Sequence, residues 1–147
     1  YARNVVGIKD ANSGEFDEQC KHKVINFMPG QNDNIDKGGT LRLGAYPCNI
    51  QAGTTMHRCY GVDTISERHR HRYEFNNDYR EQITLSGLTV SGTSPDGRLV
   101  ETVEITDRPF HVGVQYHPEF KSRPNRPHPL FKGFIQAALS HQSGGNL

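Results

Sequence analysis

Short apolar runs separated by turn-forming residues dominate this chain, and their spacing predicts more strand than helix in its second half. Residues 1–6 are mildly amphipathic and read as the end of a helix that Gly7 stops, before the turn residues Asn12-Ser13-Gly14. Residues 23–28 predict a strand that ends at Pro29-Gly30. Residues 31–39 are rich in Asn, Asp, Gly and Lys and predict an exposed loop, after which residues 40–44 alternate as a half-buried strand. Asn76 or Asn77 can cap a short helix over residues 78–86, which Gly87 ends and a strand over 88–91 follows. Ser94-Pro95-Asp96-Gly97 is turn chemistry that joins this strand to residues 99–105 as a β-hairpin, and the apolar run 110–116 predicts a central strand ending at His117. Pro129 suits the first turn of a helix over 130–139 with an apolar stripe of Leu130, Phe134, Ala137 and Ala138, and residues 141–147 read as a loose tail.

The length of 147 residues fits one domain or a piece of one. No apolar stretch reaches membrane-spanning length and the first residues lack the pattern of a secretion signal, so a soluble cytoplasmic chain without membrane contact is expected. A net charge of +1 gives no general field for nucleic acid, which is not expected as a partner, although basic residues are dense over 67–72 and 121–126. Three cysteines, widely spaced and odd in number, argue against a disulfide framework and agree with a reducing compartment. Cys20, His22, His57 and Cys59 form the two halves of an imaginable zinc site, but neither half has the ligand gap of structural zinc pairs, and no metal site is expected. None of the cysteines sits in a glycine-flanked strand-to-helix turn, so the chain carries no nucleophile of its own.

His117-Pro118-Glu119 sets an imidazole and a carboxylate where an apolar strand reaches the surface. In extended chain, residues two apart share a side, so Glu119 can orient His117 while Pro118 ends the ladder. A base with its orienter and a strand-end histidine held by a surface carboxylate are evenly weighted on these residues alone. The run Glu67-Arg68-His69-Arg70-His71-Arg72-Tyr73-Glu74, if extended, sets Arg68, Arg70 and Arg72 on one face and His69, His71 and Tyr73 on the other.

Four segments together resemble the CTP synthase family: residues 11–16 (Ala-Asn-Ser-Gly-Glu-Phe), 38–44 (Gly-Gly-Thr-Leu-Arg-Leu-Gly), the arginine–histidine run, and 114–120 around His-Pro-Glu. The resemblance is to the later portion of that family's class I glutamine amidotransferase domain, from Tyr1 to about Leu139. It implies an α/β, flavodoxin-like fold with a central, mostly parallel sheet and a peripheral β-hairpin. Residues 1–147 would then be the C-terminal portion of the domain, with the nucleophile elbow, the oxyanion loop and the synthetase domain preceding Tyr1.

In that family a cysteine attacks the side-chain amide of L-glutamine to give a glutamyl thioester and ammonia, and a His–Glu pair completes the triad. His117 and Glu119 match the pair, Glu15 matches the glutamate that receives the α-amino group, and Arg72 matches the arginine that clamps the α-carboxylate. The resemblance further implies a synthetase domain on the same polypeptide that uses ATP and Mg2+ to activate UTP for amination to CTP, and a homo-oligomer formed through that part. No cofactor belongs to the present residues, and the chain by itself is expected to be inactive. The residues leave other roles open: Glu15 as a turn cap, Arg72 in a surface ion pair with Glu67 or Glu74, and Arg68 or Arg70 on a phosphate or nucleotide. A noncatalytic amidotransferase-like module that binds glutamine or a nucleotide and regulates a partner is the alternative. The basic loop 121–128 is expected to border the active-site mouth or the partner domain.

Overall fold

The computed structural model describes residues 1–27 and 42–144; the expected loop over 31–39 and the last three residues lie outside the described residues. In chain order the strands are β1 (Ala11–Ser13), β2 (His22–Phe27), β3 (Arg42–Ile50), β4 (Thr64–His71), β5 (Tyr73–Phe75), β6 (Thr89–Thr93), β7 (Val100–Glu104) and β8 (Val112–Val114). The helices are α1 (Thr55–Tyr60), α2 (Arg80–Leu85) and α3 (Pro129–Gln142). One sheet runs β1-β2-β5 and the other β4-β3-β6-β7-β8.

The fold is α/β, but the pairing within these residues is not the mostly parallel one expected. Only β1 and β2 run parallel, and every other pairing among the described strands is antiparallel. The physical reason is connection length: a parallel neighbour needs a long crossover, whereas β6 and β7 are joined by the tight turn at residues 94–97. Among the described residues that hairpin lies inside the five-stranded sheet rather than at its periphery, and the run toward His117 forms the short strand β8 at one end of the strand order.

Local signals fared better. Asn76 Oδ1 accepts the Asp78 N–H at 3.1 Å and starts a single 3-10 turn that continues into α2. Gly87, at φ 101°, takes the left-handed conformation that ends the unit and that side-chain-bearing residues avoid. Residues 1–6 make one turn, with the Val5 and Val6 N–H groups on the Tyr1 carbonyl at 2.9 and 3.2 Å, and no helix. α3 runs on through Gln142, so residues 141 and 142 are helical, not tail.

The core of Cys48, Ile50, Met56, Ile65, Tyr116 and Leu130 lies between the five-stranded sheet and helices α1 and α3. α3 turns Leu130, Gly133 and Ala137 inward, while Phe134 and Ala138 of the expected stripe face outward. Gly133 decides this rotation. A Cβ there would lie 2.7 Å from Cys59 Sγ and 3.1 Å from Phe110 Cε2, so only glycine permits the approach to α1. α1 itself begins at Thr54, whose hydroxyl accepts the His57 N–H at 3.0 Å. The Glu104 carboxylate, fully buried on β7, takes the next free donors, Thr55 and Met56 N–H, at 2.7 and 3.1 Å. No helix among the described residues is long and apolar enough to cross a membrane.

Candidate active site

After β8 the chain bends at Pro118 into a 3-10 turn, Pro118–Phe120, and this turn carries Glu119 back over His117. The contact therefore does not arise from two positions on one strand face, as extended geometry would have it. His117 Nδ1 lies 2.7 Å from Glu119 Oε1, and the imidazole stacks on Phe120 with centroids 5.1 Å apart. Its backbone N–H donates to the Arg68 carbonyl at 2.9 Å, and Lys121 Nζ donates to the Ser66 carbonyl at 2.6 Å, so the turn is fastened at both ends to β4. The hydrogen bond from His117, aided by backbone donation and the nearby charge of Arg70, holds the Glu119 carboxyl below its ordinary range. An ionised Glu119 fixes the imidazole proton on Nδ1 and leaves Nε2 as a lone pair. Nε2 has no hydrogen-bond partner among the described residues, and the ring keeps 37% of its side-chain surface open.

Glu15 and Arg72 both lie just beyond one end of the three-stranded sheet. β1 ends at Ser13 opposite Ile25, β2 runs on to Phe27 opposite Tyr73, and β5 begins there, so Glu15 and Arg72 both leave the sheet on that side. Gly14, between β1 and Glu15, is buried and donates its N–H to the Ile25 carbonyl at 2.8 Å. Both charged side chains are exposed. Arg72 forms no ion pair with Glu67 or Glu74, because those two carboxylates point inward and are 2% and 3% exposed. Its guanidinium lies 5.7 Å from the Tyr73 ring instead. β4 thus keeps the expected alternation, with Arg68 and Arg70 outward and Glu67 and His69 buried.

Behind this surface lies a buried polar layer that reading the sequence missed. Arg42 forks onto Glu101 at 2.7 and 2.8 Å and reaches Glu74 at 3.4 Å, and Gln115 Nε2 donates to the second Glu74 oxygen at 3.0 Å. Burial alone would lower the Arg42 pKa, but the hydrogen bonds and charge of Glu101 outweigh it and raise it. Burial, reinforced by Glu101 and opposed by Arg42, pushes Glu74 up to about 7. Glu67 accepts from Tyr60 at 3.0 Å and contacts His128 Nε2 at 3.1 Å, while Tyr60 and Tyr116 hydroxyls meet at 3.0 Å. The available signal was the alternation itself: if Arg68 and Arg70 face solvent, Glu67 and His69 cannot.

His69 and His71 are held neutral. Burial first, then the charge of Arg42, brings His69 from 6.5 to about 3, and burial brings His71 from 6.5 to about 4 although the Tyr73 carbonyl pulls the other way. Both folded values lie below the unfolded one, so unfolding takes up protons; the stabilisation is complete above about pH 6.5 and is lost as pH falls toward about 4 and then about 3. In the intact polypeptide, the two histidines lower the free energy of opening β4 from about pH 7 to about pH 5, against an opposite contribution from Glu74, whose folded value of about 7 lies above its unfolded one; hydrogen exchange is expected to show a net drop. The drop should be smaller in the His69→Asn/His71→Asn variant. Equal drops would assign the titration to other groups.

The chain's thiols are not placed as nucleophiles. Cys48 is fully buried in the core, and desolvation pushes it up to about 12; burial also raises Cys59, which packs under Gly133. Cys20 lies in the turn before β2. The imagined zinc halves are engaged separately, His22 Nδ1 with the Tyr79 hydroxyl and His57 Nε2 with Asp63, each at 3.0 Å. Among the described residues no group of three or more His, Cys, Asp or Glu is arranged to hold a metal ion.

CTP synthases of Moorella thermoacetica and Roseiflexus castenholzii are 57% and 61% identical over 145 and 139 residues, which are 99% and 94% of this chain. The chain spans about a quarter of the length of these relatives, 27% and 25% respectively. The glutaminase domain of Trypanosoma brucei CTPS with bound acivicin superposes with a TM-score of 0.85 at 37% identity, covering 99% of this chain and 55% of that one. The family model described as glutamine amidotransferase class-I matches residues 7–137, a span that takes in β1, the arginine–histidine strand and the His117–Glu119 turn. With that match over most of its length, and a His–Glu couple whose second ring nitrogen has no hydrogen-bond partner among the described residues, the chain belongs to the class-I glutamine amidotransferase family.

Proposed function

We propose that this chain is the C-terminal portion of the glutamine amidotransferase domain of a CTP synthase, in which ammonia released from L-glutamine aminates UTP. The observation that carries the reading is the 2.7 Å His117–Glu119 contact with Nε2 left free, in a chain 57% identical to a CTP synthase over nearly its whole length. In this reading His117 Nε2 accepts the proton of a cysteine thiol supplied from outside these residues and returns it to the leaving ammonia. Glu119 holds the tautomer and steadies the imidazolium. Glu15 receives the α-amino group of glutamine and Arg72 its α-carboxylate, which selects free glutamine over a glutamine within a peptide. In this reading ATP and Mg2+ are held by a synthetase domain elsewhere in the polypeptide. A cytoplasmic homo-oligomer assembled through that other part completes the proposal.

Arg72→Ala and Glu15→Gln each remove one charge-assisted contact to the amino acid end of the substrate. Each is expected to raise the KM for glutamine about tenfold to a hundredfold in the intact polypeptide, with little change in kcat. Steady-state ammonia release checks this. Unchanged KM in both variants would remove the assigned roles.

A further inference from the structure

Arg72 is the single residue between β4, which ends at His71 in the five-stranded sheet, and β5, which begins at Tyr73 in the three-stranded sheet. Its backbone is therefore the corner where two sheets meet. Two ties cross that corner. The His71 side chain reaches over Arg72 to the Tyr73 carbonyl, with Nδ1 to oxygen at 3.0 Å, and Arg42, paired with His71 across β3 and β4, reaches Glu74 on β5. The Tyr73 ring beyond the corner is itself stacked on Phe27 at 4.5 Å.

The proton positions follow from these contacts. A carbonyl only accepts, so His71 carries its proton on Nδ1 and donates to Tyr73. A neutral ring then leaves Nε2 as an acceptor, and the 2.8 Å contact with His69 Nδ1 sets the His69 proton on that nitrogen. His69 Nε2 is left as a buried lone pair without a hydrogen-bond partner among the described residues, 3.9 Å from Glu101. His69 is 1% exposed and wedged between the rings of Tyr46 and Tyr116, so it cannot swing away. The pair is a rigid strut from the core to the backbone immediately after Arg72.

We propose that His71, backed by His69, is a positioning residue that fixes the corner from which Arg72 is aimed at the α-carboxylate of glutamine. This rests on the reading of Arg72 given above. Neither histidine touches the substrate; the strut spares Arg72 the ordering cost of a loose corner and so sets specificity for the amino acid end.

The test uses the intact polypeptide and two amides that mimic the two ring nitrogens. Asparagine sets its amide nitrogen near the place of Nδ1, and glutamine near that of Nε2. His71→Asn gives up the contact to His69 but keeps a donor for the Tyr73 carbonyl, the tie that crosses the corner, and is expected to leave the glutamine KM within about threefold of the wild type. His71→Gln loses that donor and is expected to raise the KM about tenfold with kcat held within about twofold. In an Arg72→Ala background, His71→Gln should add nothing. Equal KM values for the two His71 variants, whether both normal or both raised, overturn the strut while leaving the Arg72 reading intact if Arg72→Ala alone raises KM. An Arg72→Ala variant with normal KM sinks that reading and the strut together.

Discussion

His117→Ala in the intact polypeptide is expected to cut glutamine-dependent turnover by about 10⁴-fold or more, since members of a nucleophile–base unit fail together rather than additively. The size follows from what the ring does. With Nδ1 committed to Glu119 at 2.7 Å, Nε2 is the atom left to take a thiol proton, and alanine leaves nothing in its place. Glu119→Gln keeps a hydrogen-bond acceptor but not the charge, so its loss should be smaller and should fall mainly on kcat. The check is ammonia release from glutamine beside CTP formation from added ammonia, which bypasses the hydrolytic step. Loss of both activities in His117→Ala would point to a folding defect instead.

Arg42→Met should be the most destabilising substitution in the fold. Arg42 is 5% exposed, and its guanidinium lies between Glu101, fully buried, and Glu74, 3% exposed. Removing it leaves two carboxylates facing each other in a desolvated layer, at a cost of about 3–5 kcal/mol. The same argument gives the compensating variant. Arg42→Met combined with Glu101→Leu and Glu74→Gln removes the stranded charge, and it should recover most of the loss because apolar groups of similar volume replace such clusters well. Hydrogen-exchange protection of β3 and β7 measures both. If the single variant matches the wild type, the fork is not a structural tie. If the triple variant is no better than the single one, its cost comes from lost packing rather than unpaired charge.

What was legible in the sequence was what local chemistry decides. The Asn76 cap, the turn at residues 94–97, Pro129 in the first turn of α3 and the outward face of Arg68 and Arg70 all depend on neighbours a few residues away. His117 and Glu119 were legible as a pair for the same reason, although a 3-10 turn rather than an extended strand brings them together. What stayed hidden depends on partners remote in sequence. β1 finds β2 and β2 finds β5 about 50 residues later, which puts Glu15 and Arg72 on one side of a sheet that no periodicity announces. The carboxylate that takes the Thr55 and Met56 N–H groups of α1 is Glu104, 49 residues from Thr55, and Arg42 meets Glu101 across 59. Glu67 and Glu74 read as surface charges because charged residues usually are, and only the tertiary layer of Tyr60, His128, Arg42 and Gln115 makes their burial tolerable.

The central claim is that the free nitrogen of His117 serves a thiol in making a glutamyl thioester, and rapid-quench mass spectrometry of the intact polypeptide with glutamine tests it most directly. Wild-type protein should accumulate a covalent glutamyl adduct on one cysteine within a turnover, and His117→Ala should form it at least about 10³-fold more slowly. Adduct formation at the wild-type rate in His117→Ala, or on Cys48 or Cys59, would contradict the account.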